Sequence, residues 1–578
     1  MIYPRFGRVA DMIAVEQDPR AIFSWRRRIA LGPSLPIPGE GSGPSGMAVQ
    51  RDWSIYLGTG GTAFAMYPAK FTFDVTATPS CTSDFVVFPV NGQGSSSQPN
   101  IVALNNLYSG TTGATGICNR KASSSDTGTA ATVLWSYDVE GISGGGAVPT
   151  SPTIAFDPSD PTGTGNVTGK KIAFVESEAG SPAHFHVLAW KSGDGQLATN
   201  LQSVLSPKTI NTFVSSAPTA SSGTATDLSL GSSTSGTDTL SSPFIDYVRD
   251  LAYVGDDLGA LYRIKDVFCT SENPDCTSGT PPAPSLDTSW GSGGSISVCS
   301  GRLTGPVLDF VSLNVFVGCS DGKLYSISQS GTIKSLAVGD GVGTETYGAI
   351  VDAPIVDGVN KFVYAVSGSA NKGANGVLVQ TNTALSSSSA ATIGVGDQCN
   401  IHAPAFSNAY YTSPTASGAL IYVGGVSGTV NQPCSAGSAT NGNVVELYGV
   451  TFGSGGVMNS GAPADALNLG AGSGAEWSPM LEFFNQNTSV DWLLIGANQS
   501  GQVNVGSINI TSKFPTQLSI ATTEGLGPSG MIVDNDSSSA QAASIYFGAV
   551  QENAACTNTT VTTDTGGCAV KLTQAALQ

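Results

Sequence analysis

The chain has 578 residues, of which 40% are hydrophobic and only 11% are charged, compared with about a quarter in an average globular domain. With 24 Lys and Arg against 42 Asp and Glu, its formal net charge is −18. This composition, with no apolar run long enough to cross a membrane, excludes a coiled coil, a transmembrane helix and a charge-driven disordered chain. The acidic balance also argues against nucleic acid as a partner.

The N-terminal segment differs from the rest of the chain. Residues 1–28 contain six arginines, and several prolines follow before residue 45. We therefore expect residues 1–45 to be a poorly packed basic head and residues 46–578 to form the folded domain. Arg26, Arg27 and Arg28 resemble part of an export signal, but Gly32 and Pro33 follow where an apolar stretch should begin, so no signal peptide is visible. A missing signal sequence and a disordered arm both remain open.

The ten cysteines form five pairs of neighbours along the chain. An even count closing short loops is typical of disulfides in an oxidising compartment, so we predict a secreted, extracellular or periplasmic protein of bacterial type. Zinc is the alternative, but the sequence has no CxxC motif and only three histidines. The predicted pairs are Cys81 with Cys118, Cys269 with Cys276, Cys299 with Cys319, Cys399 with Cys434, and Cys556 with Cys568.

A strand motif recurs along the chain. Residues 242–264 contain SPFID, LAYVG and GALYRI, and residues 305–327 contain GPVLD, NVFVG and GKLYSI at matching spacing. Weaker copies begin at other prolines, and each proline precedes a short β-branched or aromatic run. Including those two motifs, the eight prolines are Pro68, Pro152, Pro243, Pro306, Pro354, Pro404, Pro479 and Pro528.

Short strands in repeated units with glycine-rich turns predict an all-β fold, a single β-propeller. The number of prolines predicts eight four-stranded blades, with seven as the alternative. The last unit stops after strands near 530–534, 543–550 and 568–573, so it lacks its outermost strand. Residues 51–57 (RDWSIYL) resemble the outermost strand at 133–138 (VLWSYD), and we expect them to close the ring. Alternatively, residues 43–47 repeat 527–531 and start a blade of their own.

The GxLYxI and LWSY segments resemble the pyrroloquinoline-quinone-type propeller repeat, most strongly over about 240–330. That repeat occurs in quinoprotein dehydrogenases and in non-catalytic propellers, and the chain is also similar to secreted bacterial propellers of unknown function. The dehydrogenases bind the quinone beside a pair of adjacent cysteines, and no adjacent pair occurs here. The resemblance therefore implies the fold, and we expect neither the quinone nor any other cofactor.

Three successive blades offer polar residues just before their first strands, where a propeller has the mouth of its central channel. These are Asp352, His402 and Glu476, with Trp477 beside the last. An imidazole between carboxylates could bind a metal or act as a general base, and Trp477 could contact a ligand. The alternative is a hydrogen-bonded polar plug in the channel.

Two further groups could bind metal ions. His184 and His186 point to the same face of a strand, and such a pair can bind a metal. No third ligand is visible nearby in the sequence, although Glu176 and Glu178 could lie on the adjacent strand. An ordinary pair of surface histidines is the alternative.

The acidic turn residues Asp256, Asp257 and Asp321 could hold a structural calcium ion, although aspartate is also a common turn residue.

No strong catalytic motif occurs, so the enzyme question stays open with a preference for a non-catalytic protein. Our first hypothesis is a secreted or cell-surface module that binds an extracellular glycan or protein. The second is a polysaccharide hydrolase or lyase that uses Asp352, His402 and Glu476. The third is a structural subunit of an extracellular assembly.

Overall fold

The structure is a computed structural model. The head predicted at residues 1–45 lies outside the residues that it describes. The described residues are 49–63, 65–72, 79–109, 117–118, 130–157, 159–160, 163–231, 239–277, 279–344, 348–368, 375–394, 400–427, 444–471, 476–485, 489–498, 505–511, 514–515, 519–522, 527–534, 544–549, 556 and 566–574.

Nearly all regular structure in these residues is β-strand. The helical elements described are one short helix, α1 (Asn408–Thr412), and two 3₁₀ turns, Pro274–Cys276 and Ser454–Gly456. The strands in chain order are β1 (Val49–Tyr56), β2 (Ala69–Phe71), β3 (Phe85–Pro89), β4 (Ile101–Asn105), β5 (Thr132–Val139), β6 (Thr153–Ile154), β7 (Lys171–Glu176), β8 (Ala183–Ala189), β9 (Lys208–Ile210), β10 (Thr224–Leu230), β11 (Phe244–Asp246), β12 (Leu251–Gly255), β13 (Ala260–Lys265), β14 (Ser285–Leu286), β15 (Ser295–Ser297), β16 (Val307–Leu308), β17 (Val315–Gly318), β18 (Lys323–Ile327), β19 (Ile333–Ala337), β20 (Ile355–Asp357), β21 (Phe362–Ser367), β22 (Val377–Asn382), β23 (Ser388–Thr392), β24 (Ala405–Phe406), β25 (Leu420–Ser427), β26 (Val444–Thr451), β27 (Asp465–Ala471), β28 (Glu476–Trp477), β29 (Leu481–Asn485), β30 (Val490–Asn498), β31 (Val505–Asn509), β32 (Ser519–Thr522), β33 (Ile532–Asp534), β34 (Ser544–Ala549) and β35 (Cys568–Gln574).

The strands form eight sheets, which are the blades of one propeller. From the channel outward they are β2-β3-β4-β5 (blade 1), β6-β7-β8-β10 (blade 2), β11-β12-β13-β14 (blade 3), β16-β17-β18-β19 (blade 4), β20-β21-β22-β23 (blade 5), β24-β25-β26-β27 (blade 6), β28-β30-β31-β32 (blade 7) and β33-β34-β35-β1 (blade 8). Three blades carry an extra strand: β9 runs parallel to β5, β15 pairs with β13, and β29 pairs with β30. The predicted eight-bladed propeller is confirmed.

The N-terminal strand closes the ring, as predicted. Strand β1 pairs antiparallel with β35 as the outermost strand of blade 8, so residues 51–56 do not begin a separate blade. The indole Nε1 of Trp53 donates to the carbonyl oxygen of Leu107 at 3.0 Å, which ties this strand to blade 1. The innermost strands β33 and β2 also contact each other across the closure.

The repeated proline begins an innermost strand, as expected of a residue without an amide hydrogen. In six of the eight blades the proline directly precedes the first residue of that strand. In blade 7, Pro479 lies between the innermost strand β28 and strand β29, which pairs with the same edge of β30, and in blade 8 Pro528 lies four residues before β33. The strand motif therefore marks the channel side of every blade.

The repeated glycine near the end of the second strand allows the blades to approach closely. A Cβ atom at this position would lie 2.2–2.6 Å from a side chain of the connection that enters the next blade, which is too close for any larger residue. These glycines are Gly255, Gly318, Gly424, Gly496 and Gly548, and the side chains they face are Leu303, Ile350, Trp477, Pro528 and Thr62. The motif thus encodes the contact between neighbouring blades.

Four disulfides close local loops, with the pairing expected from their neighbouring positions. They join Cys81 to Cys118, Cys269 to Cys276, Cys299 to Cys319, and Cys556 to Cys568, across separations of 7 to 37 residues. Each closure restricts the unfolded chain and stabilises the fold by about 2–4 kcal/mol. The fifth predicted pair, Cys399 and Cys434, lies outside the described residues.

No helix in the described part of the chain has the length and apolar character needed to span a membrane.

The role of β1 predicts the effect of truncating one of its buried side chains. Ile55 is fully buried in β1, so Ile55→Ala should lower the free energy of unfolding by about 2–5 kcal/mol. The matched control, Ile333→Ala on the outermost strand of blade 4, removes the same atoms from a side chain that is 38% exposed and should change it by less than about 1 kcal/mol. Chemical denaturation measures both variants. Equal effects would show that β1 is not packed into blade 8.

Candidate functional site

The residues directly before the eight prolines form a ring around the channel mouth. Hydrogen bonds link neighbouring members: the Tyr67 amide donates to Ser151 Oγ at 2.8 Å, and the Ser151 amide donates to Ser242 Oγ at 3.0 Å. Between blades 7 and 8, Ser478 Oγ donates to the carbonyl oxygen of Pro528 at 2.5 Å. The eight ring residues are Tyr67, Ser151, Ser242, Gly305, Ala353, Ala403, Ser478 and Gly527. We call the face of the propeller on which they lie the mouth face.

Asp352 and His402 meet at this mouth. His402 Nδ1 lies 3.0 Å from Asp352 Oδ1, and Asp352 Oδ2 accepts a hydrogen bond from the Ala403 amide at 2.7 Å. Both side chains are buried, so the carboxylate holds the imidazole in a fixed orientation. The main chain of Glu476 lies in β28, but its side chain lies outside the described part of the structure. Two of the three residues predicted for the site are therefore brought together.

Tyr67 is a member of the mouth that sequence reasoning missed. A Cβ atom on Gly530 would lie 2.5 Å from its ring, so the ring packs directly on the backbone of blade 8. Burial, and then the negative charge of Asp352, raise the pKa of Tyr67 well above its usual value. The sequence does contain a signal for this position, because Tyr67 is the only large residue among the eight that precede the prolines.

Trp477 is a core residue in the described structure, and contact of its ring with a ligand stays a prediction. Its side chain is 2% exposed, and its ring lies against the glycine backbone at Gly424. The indole Nε1 donates to the carbonyl oxygen of Gly425 at 3.0 Å. The ring therefore fills the seam between blades 6 and 7.

The two histidines of β8 belong to a second polar cluster on the mouth face, between blades 1 and 2. His184 Nδ1 lies 2.7 Å from Asp227 Oδ1. His186 is fully buried, with Nε2 3.0 Å from Glu176 Oε2 and Nδ1 3.0 Å from the carbonyl oxygen of Thr226. Because both ring nitrogens of His186 face oxygen acceptors, the doubly protonated imidazolium fits this position.

The electrostatics of His186 agree with that geometry. Burial alone would lower the pKa of His186, but the hydrogen bond and charge of Glu176, with the charge of Asp227, raise it overall. Burial likewise opposes ionisation of Asp227, but the hydrogen bond from His184 and the two imidazoles lower the pKa of this carboxyl overall. Each imidazole thus has a carboxylate partner, and binding of a metal by this pair stays a prediction.

Glu176 also organises a glycine-rich loop. Its Oε2 accepts hydrogen bonds from the amides of Gly141 and Ile142 at 2.8 and 3.1 Å, and its Oε1 accepts from the Gly146 amide at 2.6 Å. Successive backbone N–H groups in such a loop form an anion-binding concavity. The anion that fills this one is a side chain of the protein itself.

Asp138 lies next to this cluster as a fully buried carboxyl group. Its Oδ2 accepts a hydrogen bond from the Thr209 hydroxyl group at 3.1 Å. Burial, followed by the charge of Glu140, raises the pKa of Asp138 to about 7, with a further contribution from Glu176. This carboxyl group therefore titrates near neutral pH.

The acidic turns of blades 3 and 4 hold the tyrosines of the GxLY motif. Asp256 Oδ1 accepts from the Ala260 amide at 2.8 Å, and its Oδ2 accepts from the Tyr262 hydroxyl at 2.9 Å. Asp321 Oδ2 accepts from the Tyr325 hydroxyl at 2.6 Å in the equivalent turn. Asp257 is partly buried on the same turn as Asp256. These contacts explain the aspartates as turn residues, and calcium at them stays a prediction.

Within the described residues, one group of three side chains has the mutual spacing of metal ligands. It consists of Asp250, Cys269 and Cys276, but the two cysteines are joined in a disulfide. Asp250 accepts hydrogen bonds from the amides of Phe268 and Cys269 at 2.8 and 2.9 Å. A disulfide offers no thiolate to a metal, so this group is structural.

Comparisons with known proteins find similarity among solved structures alone. No protein-family model matches the chain, and no curated protein matches it in sequence. Among solved structures, Sqt1 of Chaetomium thermophilum is similar at 11% identity and a TM-score of 0.48, over 91% of this chain and 98% of that one. The same protein bound to the N-terminus of ribosomal protein L10 gives 11% identity and a TM-score of 0.46, over 91% and 100% of the two chains. BamB of Moraxella catarrhalis gives 12% identity and a TM-score of 0.32, over 70% and 82%.

These similarities concern the β-propeller fold alone. They do not single out the pyrroloquinoline-quinone type of repeat among propellers.

The raised pKa of Asp138 predicts a pH-dependent contribution to stability. Because the folded state binds this proton more tightly than the unfolded state, the stabilisation is complete below about pH 4 and is lost as the pH rises to about 7. Asp138→Asn removes this titrating group. The free energy of unfolding of the variant minus that of the wild type should therefore increase by about 1–4 kcal/mol between pH 4 and pH 8. Denaturant titrations over this range measure it.

Asp275→Asn is the control for the same substitution at the surface, because that side chain is 61% exposed and should contribute little to stability. A pH profile for Asp138→Asn that does not differ from that of the control would mean that Asp138 ionises normally in the folded protein.

Proposed function

We propose that this protein is a non-catalytic binding module that presents blades 3 and 4 to a protein partner. The observation that supports this most directly is the location of its exposed large apolar side chains. Among the described residues, six of the seven lie between positions 240 and 342, in or beside blades 3 and 4. The seven are Leu240, Val248, Leu258, Val311, Ile333, Val342 and Val457.

Three of these side chains belong to the mouth face. Leu240 precedes the first strand of blade 3, Val342 precedes that of blade 5, and Leu258 lies in the turn between β12 and β13. In an antiparallel blade, the turn between the second and third strands lies on the same side as the connection into the first strand. The exposed fractions of Leu240, Leu258 and Val342 are 49%, 49% and 54%. We call these three residues the apolar surface.

Hydrogen bonds fix the loops that carry the apolar surface. Thr239 Oγ1 donates to the carbonyl oxygen of Gly255 at 2.7 Å, which holds the Leu240 loop against the turn that contains Leu258. The Gly343 amide donates to the carbonyl oxygen of Asp321 at 2.8 Å, which holds the Val342 loop in the same way. These side chains are therefore held in place in advance, which lowers the entropy lost on binding.

The chemistry of the surface favours a basic protein segment. Carboxylates accompany the apolar side chains: Asp257 precedes Leu258 in the chain, and Asp340 Oδ1 accepts the Val342 amide at 3.2 Å. The net charge of the whole chain is −18. Exposed apolar side chains with carboxylates beside them complement a partner with apolar and Lys or Arg side chains. None of the seven exposed large apolar side chains in the described residues is aromatic, which favours protein over glycan.

The disulfides support action outside the cytoplasm. Four cross-links persist in an oxidising compartment, such as the extracellular space or the periplasm, and are rare in a reducing one. A secreted or cell-surface scaffold is therefore our proposal for localisation.

Mutation of the apolar surface tests the proposed binding role. The double variant Leu258→Asp and Val342→Asp should weaken binding to a mixed apolar and basic peptide at least tenfold, because it places charge in the contact and loses apolar burial. Screening on peptide and glycan arrays identifies the probe, and calorimetry measures its dissociation constant. Val457→Asp is the matched control, since Val457 is 48% exposed but lies on blade 6.

All of these substitutions affect exposed positions, so the melting temperature should hardly change. Binding that is equal in the double variant and the wild type would overturn the assignment to blades 3 and 4. Recognition of glycans alone would overturn the protein-binding proposal.

A second candidate is an extracellular hydrolase or lyase, favoured by the contact between Asp352 and His402. A carboxylate that orients an imidazole is the arrangement of a general base. The test is elemental analysis of protein purified without added metal or chelator, together with hydrolysis of a polysaccharide panel. The candidate predicts one equivalent of a transition metal, or a hydrolytic activity, that His402→Ala abolishes. Equal metal content and equal hydrolytic activity in the wild type and in His402→Ala would exclude the hydrolase or lyase candidate.

A further inference from the structure

The seam that closes the ring contains a buried pair of opposite charges. Asp52 on β1 and Lys571 on β35 have Oδ2 and Nζ only 2.8 Å apart, and their side chains are 3% and 0% exposed. Strand β1 is the first strand described and β35 is the last. A contact between these side chains therefore joins the two ends of the propeller.

A β-bulge directs Asp52 toward this lysine. In the register of β1 and β35, Arg51 pairs with Leu572 and Trp53 pairs with Lys571. Asp52 is therefore the extra residue of the bulge. Such a bulge re-aims a side chain relative to the regular alternation of a strand. The bulge thus turns the Asp52 side chain toward the interior, where its carboxyl group meets the Lys571 amine.

The surroundings of the pair exclude water. The ring centroid of Tyr108 lies 5.9 Å from Lys571 Nζ, and Tyr546 is the neighbour of Lys571 on β34. Trp53 packs on Tyr546 with ring centroids 6.0 Å apart. Tyr546, Tyr108 and Trp53 are all fully or almost fully buried. The amine and the carboxyl group therefore meet in an aromatic enclosure.

A second carboxyl group lies within electrostatic reach of the amine. Burial lowers the pKa of Lys571, and the charges of Asp52 and Asp534 oppose this shift without cancelling it. Asp534 is 1% exposed and lies 3.0 Å from Lys70 Nζ. Two ions buried in a dry site of this kind are expensive to desolvate, so loss of both charges relieves that cost.

We propose that Asp52 and Lys571 condense into an intramolecular amide bond that covalently closes the propeller. Transfer of one proton from Lys571 Nζ to Asp52 Oδ2 across their 2.8 Å contact gives an amine and a carboxylic acid. The lone pair of the amine then attacks Cγ of Asp52, forming the C–N bond. The C–O bond to the hydroxyl group then breaks, and one molecule of water leaves. Asp534 accepts the proton released by the attacking nitrogen and returns a proton to the leaving hydroxyl group. The step consumes no oxidant or other reactant.

Two physical effects favour this reaction at this seam. Holding the reacting groups in contact replaces a bimolecular collision with an intramolecular step. Conversion of the ion pair into an amide also removes two charges from the interior, where each is expensive to desolvate. An ion pair in solvent has neither a desolvation penalty to relieve nor a neutral amine to react.

A contrasting pair in blade 1 illustrates the difference. Lys208 Nζ lies 2.9 Å from Asp194 Oδ2 and 6.0 Å from the ring centroid of Tyr137, so it has the same elements as the seam pair. However, the Lys208 side chain is 41% exposed, so solvent screens its contact with Asp194. We expect no bond there, which makes this pair the internal control.

Mass spectrometry of the full-length chain tests the proposal. After denaturation, reduction and alkylation of the cysteines, the intact mass should be lower than the sequence mass by one molecule of water. Proteolysis should release the peptide containing Asp52 covalently joined to the peptide containing Lys571. Lys571→Arg should restore the full sequence mass, because a guanidinium keeps the charge but is not a nucleophile at neutral pH. Lys208→Arg should still lose one water.

Two further variants define the chemistry. Asp52→Asn should give the same final mass as cross-linked wild type, because the amide forms with loss of ammonia instead of water. Asp534→Asn should leave most of the chain uncross-linked, since it removes the proton-transfer group. A wild-type mass equal to the sequence mass, with both peptides recovered separately, would overturn the proposal regardless of how any variant folds.

Discussion

The structure depends on the requirement that a ring of sheets must close. Each blade buries both faces against its neighbours, so a gap between the last blade and the first would expose apolar surface and unpaired strand edges. The chain meets this requirement by placing β1 on β35, at the outer edge of blade 8. The channel mouth and the connections between blades keep their geometry only while this pairing holds.

The packing between blades explains which parts of the sequence are repeated. The proline starts the innermost strand, the glycine of the second strand admits the connection into the next blade, and the tyrosine of the third strand donates to the turn aspartate. In blades 3, 4 and 5 one continuous apolar cluster includes Tyr253, Phe316 and Val363. The seams on either side of blade 1 are also apolar, but they additionally contain the buried ionisable groups Lys571, Glu176 and Asp138. The polar groups of the ring therefore concentrate where the repeat is weak.

Most of the fold could be predicted from the sequence, because strands, prolines and closure depend on local patterns. The contact of Asp352 with His402 could also be predicted, since the propeller brings residues at equivalent positions in neighbouring blades to one mouth. The burial of Trp477 could not, because it depends on the absence of a side chain at Gly424, in another blade. Similarly, the glycine-rich loop at 141–146 does not reveal its anion, since Glu176 is brought to it only by the pairing of β7 within blade 2.

The distribution of side chains separates structural residues from those available for binding. At the mouth, seven of the eight ring residues are small, and Tyr67 packs on the backbone of blade 8. Asp352 and His402 are buried and in contact, so their hydrogen bonds also contribute to the fold. Leu240, Leu258 and Val342 have no comparable structural role, because about half of each side chain faces solvent. Exposed apolar groups on firmly held loops gain little from folding and gain more from contact with a partner, which is why we propose blades 3 and 4, rather than the channel, as the binding site.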